Sequence, residues 1–125
     1  QIKKQSVEKL QDINTVLKGT PFEVSYRVLN ELVIYLGNLL DEKGYSGDGN
    51  DEEFNNIVQK AFDAITLMKI LPRVEGDDEM FDLKNDSQNR LQKLQTLFGE
   101  ESGSYKKLQE MNDRLEKMQF TRFWP

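Results

Sequence analysis

Apolar residues recur at steps of three and four along most of the chain, which is the spacing of one face of a helix. Over residues 3–18 they form a single stripe that predicts a first helix, namely Val7, Leu10, Ile13 and Leu17. The densest periodicity follows in residues 20–40, where Val28, Ile34 and Tyr35 widen a leucine stripe beyond one side. A helix that is apolar over so much of its circumference is usually central in a bundle.

The second helix has two candidate starts. Residues 20–23, with the sequence TPFE, resemble a capping box with proline at the first helical position. Ser25 is an equally good N-cap, and we favour it because the regular apolar spacing begins there. We expect this helix to end near Glu42, with Gly44 as its terminator.

Glycine and proline divide the rest of the chain. Three glycines make residues 43–50 a loop, after which Asp51 is expected to cap a third helix that Pro72 stops. The next helical region has a centre poor in apolar residues, which favours two helices at about 78–84 and 86–98. Ser104 is the expected N-cap of the last long helix. The apolar tail that follows is expected to pack back on the bundle.

Together these segments predict an all-α fold, a small bundle of five to six helices with no sheet of consequence. No alternation of apolar and polar residues persists long enough to indicate a sheet strand. A chain of 125 residues is expected to be one helical domain, residues 1–125, with one core. Because it begins with Gln1 inside a helical pattern and stops at Pro125, we expect it to be a fragment of a longer polypeptide.

Composition excludes several classes of function. The chain has no cysteine and no histidine, so disulfides, thiol nucleophiles, common zinc sites and histidine bases are ruled out. Its net charge of -5 argues against nucleic-acid binding by the whole domain. It contains neither a phosphate-binding loop nor a dinucleotide-binding glycine motif. No run approaches the ~18 apolar residues of a membrane span, so we expect no membrane association and a cytoplasmic location.

One acidic segment partly matches a calcium-binding loop. Asp48, Asn50 and Glu52 alternate as the first ligands of an EF-hand do. The match then fails, since Glu53 stands where glycine is needed and Gln59 where a bidentate glutamate belongs. We therefore interpret the segment as a turn leading to a helix cap and expect no metal site.

Two further charged segments have simpler explanations than ligand binding. The acids of residues 75–82 suit the positive end of a helix dipole. In residues 105–124, basic and aromatic residues are interleaved as in single-strand binders, but acids lie among them and indicate a solvated, mixed-charge face. The aromatic residues of that part are expected in the core or at an interface.

Arg27 is poorly placed for stability. With Ser25 as cap it lies in the first helical turn, where an exposed cation opposes the helix dipole at a cost of about 0.3–1 kcal/mol. Two interpretations are open. Arg27 pairs with Glu31 on the surface, although this order of charges is the weaker one. Alternatively, the guanidinium and the free amides of the helix start bind an anion such as a phosphate.

Three stretches in order resemble the helical lid of AAA+ NTPases of the McrB type, the nucleotide-hydrolysing subunits of modification-dependent restriction systems. They are PFEVSYRVLNELVIYL, QKAFDAITLMKILPRVEGDDEMF and RLEKMQFTRFWP. The first resembles the Tyr-Arg-Val start of the lid helix, the second an Ile-Leu-Pro-Arg turn followed by glycine, and the third a Phe-Thr-x-Phe-Trp tail. Glycine often precedes Tyr-Arg in that family, whereas this chain has Ser25.

The resemblance implies a lid that packs beside an AAA+ nucleotide-binding core located upstream of this chain. Arg27 would occupy the sensor-2 position and reach the terminal phosphate of ATP or GTP bound with Mg²⁺. Ser25 would cap the helix, and Tyr26 and Val28 would shape the lid surface near the base or a neighbouring subunit.

The same resemblance implies partners for the parent protein. These are neighbouring subunits of a ring, a nuclease partner if the role is restriction, and DNA only through the parent complex. We expect no catalytic residue and no activity in this chain alone, and NTP hydrolysis by the parent. The alternative is a non-enzymatic helical interaction module that docks a partner helix through the tail or the last long helix.

Overall fold

The computed structural model describes all residues, 1–125, and contains six α-helices and one short two-stranded sheet. The helices are α1 (Ile2–Leu17), α2 (Tyr26–Glu42), α3 (Glu52–Ile65), α4 (Asp78–Phe81), α5 (Arg90–Gln95) and α6 (Gly103–Met118). The strands are β1 (Glu75–Asp77) and β2 (Phe120–Arg122), which pair antiparallel. The all-α prediction is confirmed. No helix combines the length and the apolar character needed to cross a membrane.

One apolar core of 24 buried residues joins the helices. Helix α2 packs on both α1 and α3, as its dense stripe predicts. It contributes five buried residues, namely Val28, Leu29, Leu32, Leu36 and Leu40. The prediction that its apolar surface extends around Ile34 is wrong, because that side chain is 63% exposed. Ile34 therefore lies on the outer face of the central helix.

The start and end of α2 agree with the predicted signals. Ser25 is the N-cap residue with an extended backbone, and the helix ends at Glu42, two residues before Gly44 at φ +64°. The alternative start at residues 20–23 is not used. Thr20 instead donates its hydroxyl to the Leu17 carbonyl at 2.7 Å and accepts from the Phe22 amide at 3.1 Å. These bonds make a turn that closes α1.

The segment after α3 departs from a single regular helix. The chain continues as a π-helix over Thr66–Ile70 and a 3₁₀ turn over Leu71–Arg73. The α-helix therefore ends at Ile65, before the predicted stop at Pro72, and Pro72 itself lies inside the 3₁₀ turn. A proline ring collides with the carbonyl four residues earlier in an α-helix, and for Pro72 that carbonyl belongs to Met68. The wider π turn contains Met68 and avoids this collision.

The two helices expected between residues 78 and 98 are present, and both are shorter than predicted. Asp77 caps α4 by accepting from the Met80 amide at 3.0 Å. Helix α5 begins only at Arg90, because Asn89 and Gln92 form a capping box. Before it, Asp86 accepts from the Gln88 amide at 2.9 Å. That bond, together with the neighbouring Lys93 ammonium, lowers the pKa of the Asp86 carboxyl.

Helix α6 begins two residues earlier than the prediction that placed its cap at Ser104. The cap is Ser102, whose hydroxyl accepts from the Tyr105 amide at 3.1 Å. Ser104 is fully buried, and its amide donates to the Asp63 carboxylate at 2.8 Å. The Ser104 hydroxyl also donates to the Asp63 carbonyl at 3.1 Å, so this residue joins α6 to α3.

The tail packs back on the bundle through a strand that the sequence did not indicate. Thr121 of β2 is fully buried and pairs in register with Gly76 of β1. Arg114 of α6 holds the tail by donating to the carbonyls of Arg122 at 2.7 Å and Trp124 at 3.0 Å. The Trp124 side chain is 58% exposed, whereas Phe123 packs against the core and its ring centre lies 4.5 Å from the Lys107 ammonium.

Candidate functional site

The approach to α2 is fixed by a side chain of α1. Asn14 accepts a hydrogen bond from the Val24 amide at 2.6 Å and donates one to the Val24 carbonyl at 3.1 Å. A side-chain amide that pairs with both backbone groups of one residue imitates a strand partner. Asn14 therefore holds the backbone of Val24, the residue directly before the N-cap Ser25.

The first turn of α2 leaves backbone donors open. Ser25 has φ -94° and ψ 172°, and its side chain makes no capping hydrogen bond. Its carbonyl accepts from the amides of Val28 at 3.1 Å and Leu29 at 3.3 Å. The amides of Ser25, Tyr26 and Arg27 donate no hydrogen bond within the chain, and the first turn carries no acidic residue. Open amides at the positive end of a helix dipole favour an anion.

Arg27 is exposed and makes neither a hydrogen bond nor an ion pair within the chain. The surface pair with Glu31 is therefore not formed. The Glu31 carboxylate lies 3.8 Å from the Lys69 ammonium, on the segment that packs beside α2. At that distance the two groups form no hydrogen bond, and this carboxylate oxygen is buried without a hydrogen-bond partner. An arginine four residues before the glutamate is the less favourable arrangement. The guanidinium of Arg27 remains available to an outside anion.

A cleft of about 450 Å³ lies beside this helix start, between α1 and α2. Ser25 and Tyr26 line it together with Lys3, and its floor is apolar. Arg27 does not line the cleft. The structure thus brings two of the three predicted site residues to one cavity and places the third on the adjoining surface. Tyr26 is 83% exposed, so its ring is free to contact a ligand or a neighbouring domain.

The acidic loop before α3 uses its polar groups for its own turn. Asp48 accepts from the Asn50 amide at 3.0 Å, and Asp51 caps α3 by accepting from the Phe54 amide at 2.9 Å. The Tyr45 hydroxyl donates to Asp51 at 3.1 Å. Loss of water raises the pKa of the Tyr45 hydroxyl, and the Asp51 carboxylate raises it further. The structure contains no group of three or more acidic side chains placed to hold a metal ion.

Two residues with distinctive surroundings in the structure were not singled out from the sequence. The hydrogen bonds of Asn14 could not be predicted from the sequence, because they form only when α1 packs beside Val24, ten residues away along the chain. Arg73 is exposed and has no hydrogen bond or ion pair, a property that composition and periodicity do not report. The one available signal was its position directly after Pro72, at the end of the 3₁₀ turn.

Replacing Asn14 by alanine is expected to destabilise the domain by about 1–3 kcal/mol, because the half-buried Val24 amide loses its acceptor. Urea unfolding measures the loss, and hydrogen exchange at the Val24 amide shows where it arises. Gln11→Ala is the matched control, since that side chain is exposed on the same helix. Equal midpoints for the two variants would show that Asn14 does not hold the approach to α2.

Residues 1–120 match the protein family described as a domain of unknown function, DUF8727. The chain belongs to this family. The DUF8727 match includes all six helices, β1 and the whole of the candidate site at the start of α2. No curated protein and no solved structure matches the chain significantly.

Proposed function

We propose that the chain is the helical lid of an AAA+ NTPase related to the McrB type and that Arg27 is its sensor-2 arginine. The observation that carries the proposal is the exposed, unpaired guanidinium of Arg27 beside three open amides at the start of α2. An arginine in the first turn of a helix lowers stability unless an anion approaches it. A terminal phosphate supplies such an anion and suits the forked geometry of a guanidinium.

The three stretches that resemble the lid are connected in space, which supports treating them as one unit. The first and second meet where Glu31 of α2 lies 3.8 Å from Lys69 of the π-helical turn. The second and third meet in the sheet, where Gly76 pairs with Thr121. The strand that follows the Ile-Leu-Pro-Arg turn therefore pairs with the strand that begins the Phe-Thr-x-Phe-Trp tail.

In the proposed mechanism this chain contributes binding and charge while an upstream core holds the ATP or GTP with Mg²⁺. Arg27 places positive charge at the terminal phosphate, where negative charge develops during transfer. Tyr26 contacts the base or the neighbouring subunit. The rigid bundle turns as one body and passes the nucleotide state to adjacent subunits of a ring. In a restriction system a nuclease partner would cut DNA, and the assembly would work in the cytoplasm.

The reading frame that contains this chain gives the first test of the proposal. We expect a phosphate-binding loop followed by an acidic Mg²⁺ motif within roughly 250 residues upstream of Gln1, about the upper size of one domain. A frame without these two motifs would contradict the proposal, because Arg27 would then have no nucleotide to contact.

An alternative function is a non-enzymatic interaction module, and one surface favours it. Met118, Phe120 and Trp124 are 71%, 43% and 58% exposed around the end of α6 and the tail. Clustered exposed apolar side chains mark protein interaction sites. The two proposals separate on hydrolysis, since the module predicts that the full-length protein has none, whereas the lid predicts hydrolysis that depends on Arg27.

A further inference from the structure

The start of α2 lacks the local features that usually hold the first turn of a helix. The Ser25 side chain makes no capping hydrogen bond, and the first turn contains no acidic residue. Arg27 adds a cation to the positive end of the helix dipole, which disfavours the turn further. The Ser25 carbonyl accepts from the amides of Val28 at 3.1 Å and Leu29 at 3.3 Å. This first turn is therefore expected to fray unless a group outside α2 holds it.

Asn14 of α1 supplies that group. Its side-chain oxygen accepts from the Val24 amide at 2.6 Å, and its side-chain nitrogen donates to the Val24 carbonyl at 3.1 Å. Both residues are half-buried, so these bonds compete less with water than bonds on the surface do. Asn14 thus restrains the residue before the N-cap, a restraint that the Ser25 side chain does not provide.

The turn between α1 and α2 is held at its other end by an arginine of α5. The Arg90 guanidinium donates to the carbonyls of Val16 at 2.6 Å and Lys18 at 3.1 Å, at the end of α1. A cation that donates to the last carbonyls of a helix also complements the negative end of the helix dipole. The turn that leads into α2 is therefore restrained at its beginning by Arg90 and at its end by Asn14.

We propose that Asn14 is a positioning residue for Arg27, an inference that rests on the proposed lid function. By fixing the backbone at Val24, Asn14 keeps the first turn of α2 formed, so that the Arg27 side chain leaves the helix from one position. Glu23 forms no ion pair with Arg27, and its carboxylate accepts from the Gly19 amide at 3.3 Å. A guanidinium stabilises developing charge best when its position is set before the reaction. Asn14 itself binds the backbone and not the nucleotide.

Amide hydrogen exchange tests whether Asn14 holds the first turn, independently of any activity. In Asn14→Ala the amides of Val28 and Leu29 are expected to exchange about tenfold faster, because fraying of the turn opens their bonds to Ser25. Ser104→Ala is the matched control, since it removes a hydroxyl that joins α6 to α3 and lowers stability away from α2. Equal exchange of the two amides in both variants would overturn the inference and leave the lid proposal standing.

Nucleotide hydrolysis by the full-length protein tests whether Asn14 acts through Arg27. Asn14→Ala is expected to lower kcat/KM about three- to tenfold, since a displaced guanidinium loses part of its effect on the terminal phosphate. Combined with Arg27→Ala it is expected to cause no further loss, because the group that it positions is absent. A purely structural role would instead add its own loss to that of Arg27→Ala, and such addition would overturn the inference.

Asn14→Asp is a second variant that keeps the bond to the Val24 amide. At neutral pH its carboxylate accepts from that amide but cannot donate to the Val24 carbonyl. Gln11→Asp is its control for charge, because Gln11 and Asn14 line the same cleft. We expect Asn14→Asp to lose more kcat/KM than Gln11→Asp.

The outcomes separate this inference from the lid proposal. If Arg27→Ala lowers hydrolysis while Asn14→Ala matches Ser104→Ala and Asn14→Asp matches Gln11→Asp, the inference about Asn14 is overturned and the lid proposal stands. If Arg27→Ala leaves hydrolysis unchanged, both are overturned.

Discussion

Arg27→Ala in the full-length protein is expected to lower nucleotide hydrolysis at least tenfold, or ~1.4 kcal/mol of activation free energy. The guanidinium is exposed and unpaired, so its loss removes positive charge at the phosphates without removing a contact inside the domain. Turnover measured at saturating nucleotide reports the loss. The midpoint temperature of thermal unfolding is expected to change little. It rises slightly if the main effect is the removal of a cation from the positive end of the helix dipole.

Lys60→Ala controls for the removal of a surface cation. Arg27→Lys distinguishes the contribution of the positive charge from that of the guanidinium geometry. The lysine variant is expected to retain part of the activity, because it keeps the positive charge but cannot donate the paired hydrogen bonds of a guanidinium. Wild-type turnover in Arg27→Ala would leave Arg27 as a solvent-exposed charge with no part in hydrolysis.

Phe62→Ala is expected to destabilise the domain by about 3–5 kcal/mol, the usual cost of emptying a buried aromatic site. Phe62 is 1% exposed in α3, and its ring stacks on Phe98 at 4.7 Å between centroids. The stack joins α3 to the segment after α5, and the Lys9 ammonium of α1 lies 5.6 Å from the centre of the same Phe62 ring. Since domains are stable by only about 5–15 kcal/mol, a large part of the stability is lost.

The midpoint of urea unfolding measures the effect of Phe62→Ala, with an unchanged slope as evidence that both states keep their compactness. Ile34→Ala serves as the control, because that side chain is 63% exposed and its truncation is expected to cost less than about 0.5 kcal/mol. A small and equal shift in both variants would contradict the placement of Phe62 in the core.

The long helices were predictable because their signals are local. Ser25, Asp51 and Gly44 act within one or two turns of their own positions, and the apolar spacing of α1, α2 and α3 depends only on the helical period. Pro72 predicts that the regular helix stops in this region, but the π turn and 3₁₀ turn that replace its last part depend on how the chain relieves the clash. These features can therefore be predicted without knowing which residues pack against them.

The differences between prediction and structure arise from contacts between distant residues. Ser104 has the composition of a cap, yet Asp63 of α3 binds its amide and the cap moves to Ser102. Likewise, β1 and β2 are three residues each, too short to show alternation, and they form because Arg114 and the buried Thr121 bring the tail to Gly76.

Only part of the candidate site could be predicted from the sequence, because some of its features are local and others depend on contacts between distant residues. The position of Arg27 against the helix dipole follows from the sequence once Ser25 is taken as the cap. The sequence does not predict that the Glu31 carboxylate lies near the Lys69 ammonium, because this contact depends on how α2 packs beside the π-helical turn.

The central claim is that Arg27 contacts the terminal phosphate of a bound nucleotide, and equilibrium binding to the full-length protein tests it most directly. Calorimetry compares the affinity for a non-hydrolysable triphosphate with that for the corresponding diphosphate, in wild type and in Arg27→Ala. We predict that the variant loses about tenfold in triphosphate affinity, the size of one charge-assisted contact, and keeps its diphosphate affinity. Equal affinities of the variant and wild type for both nucleotides, or an equal loss for both, would contradict the claim.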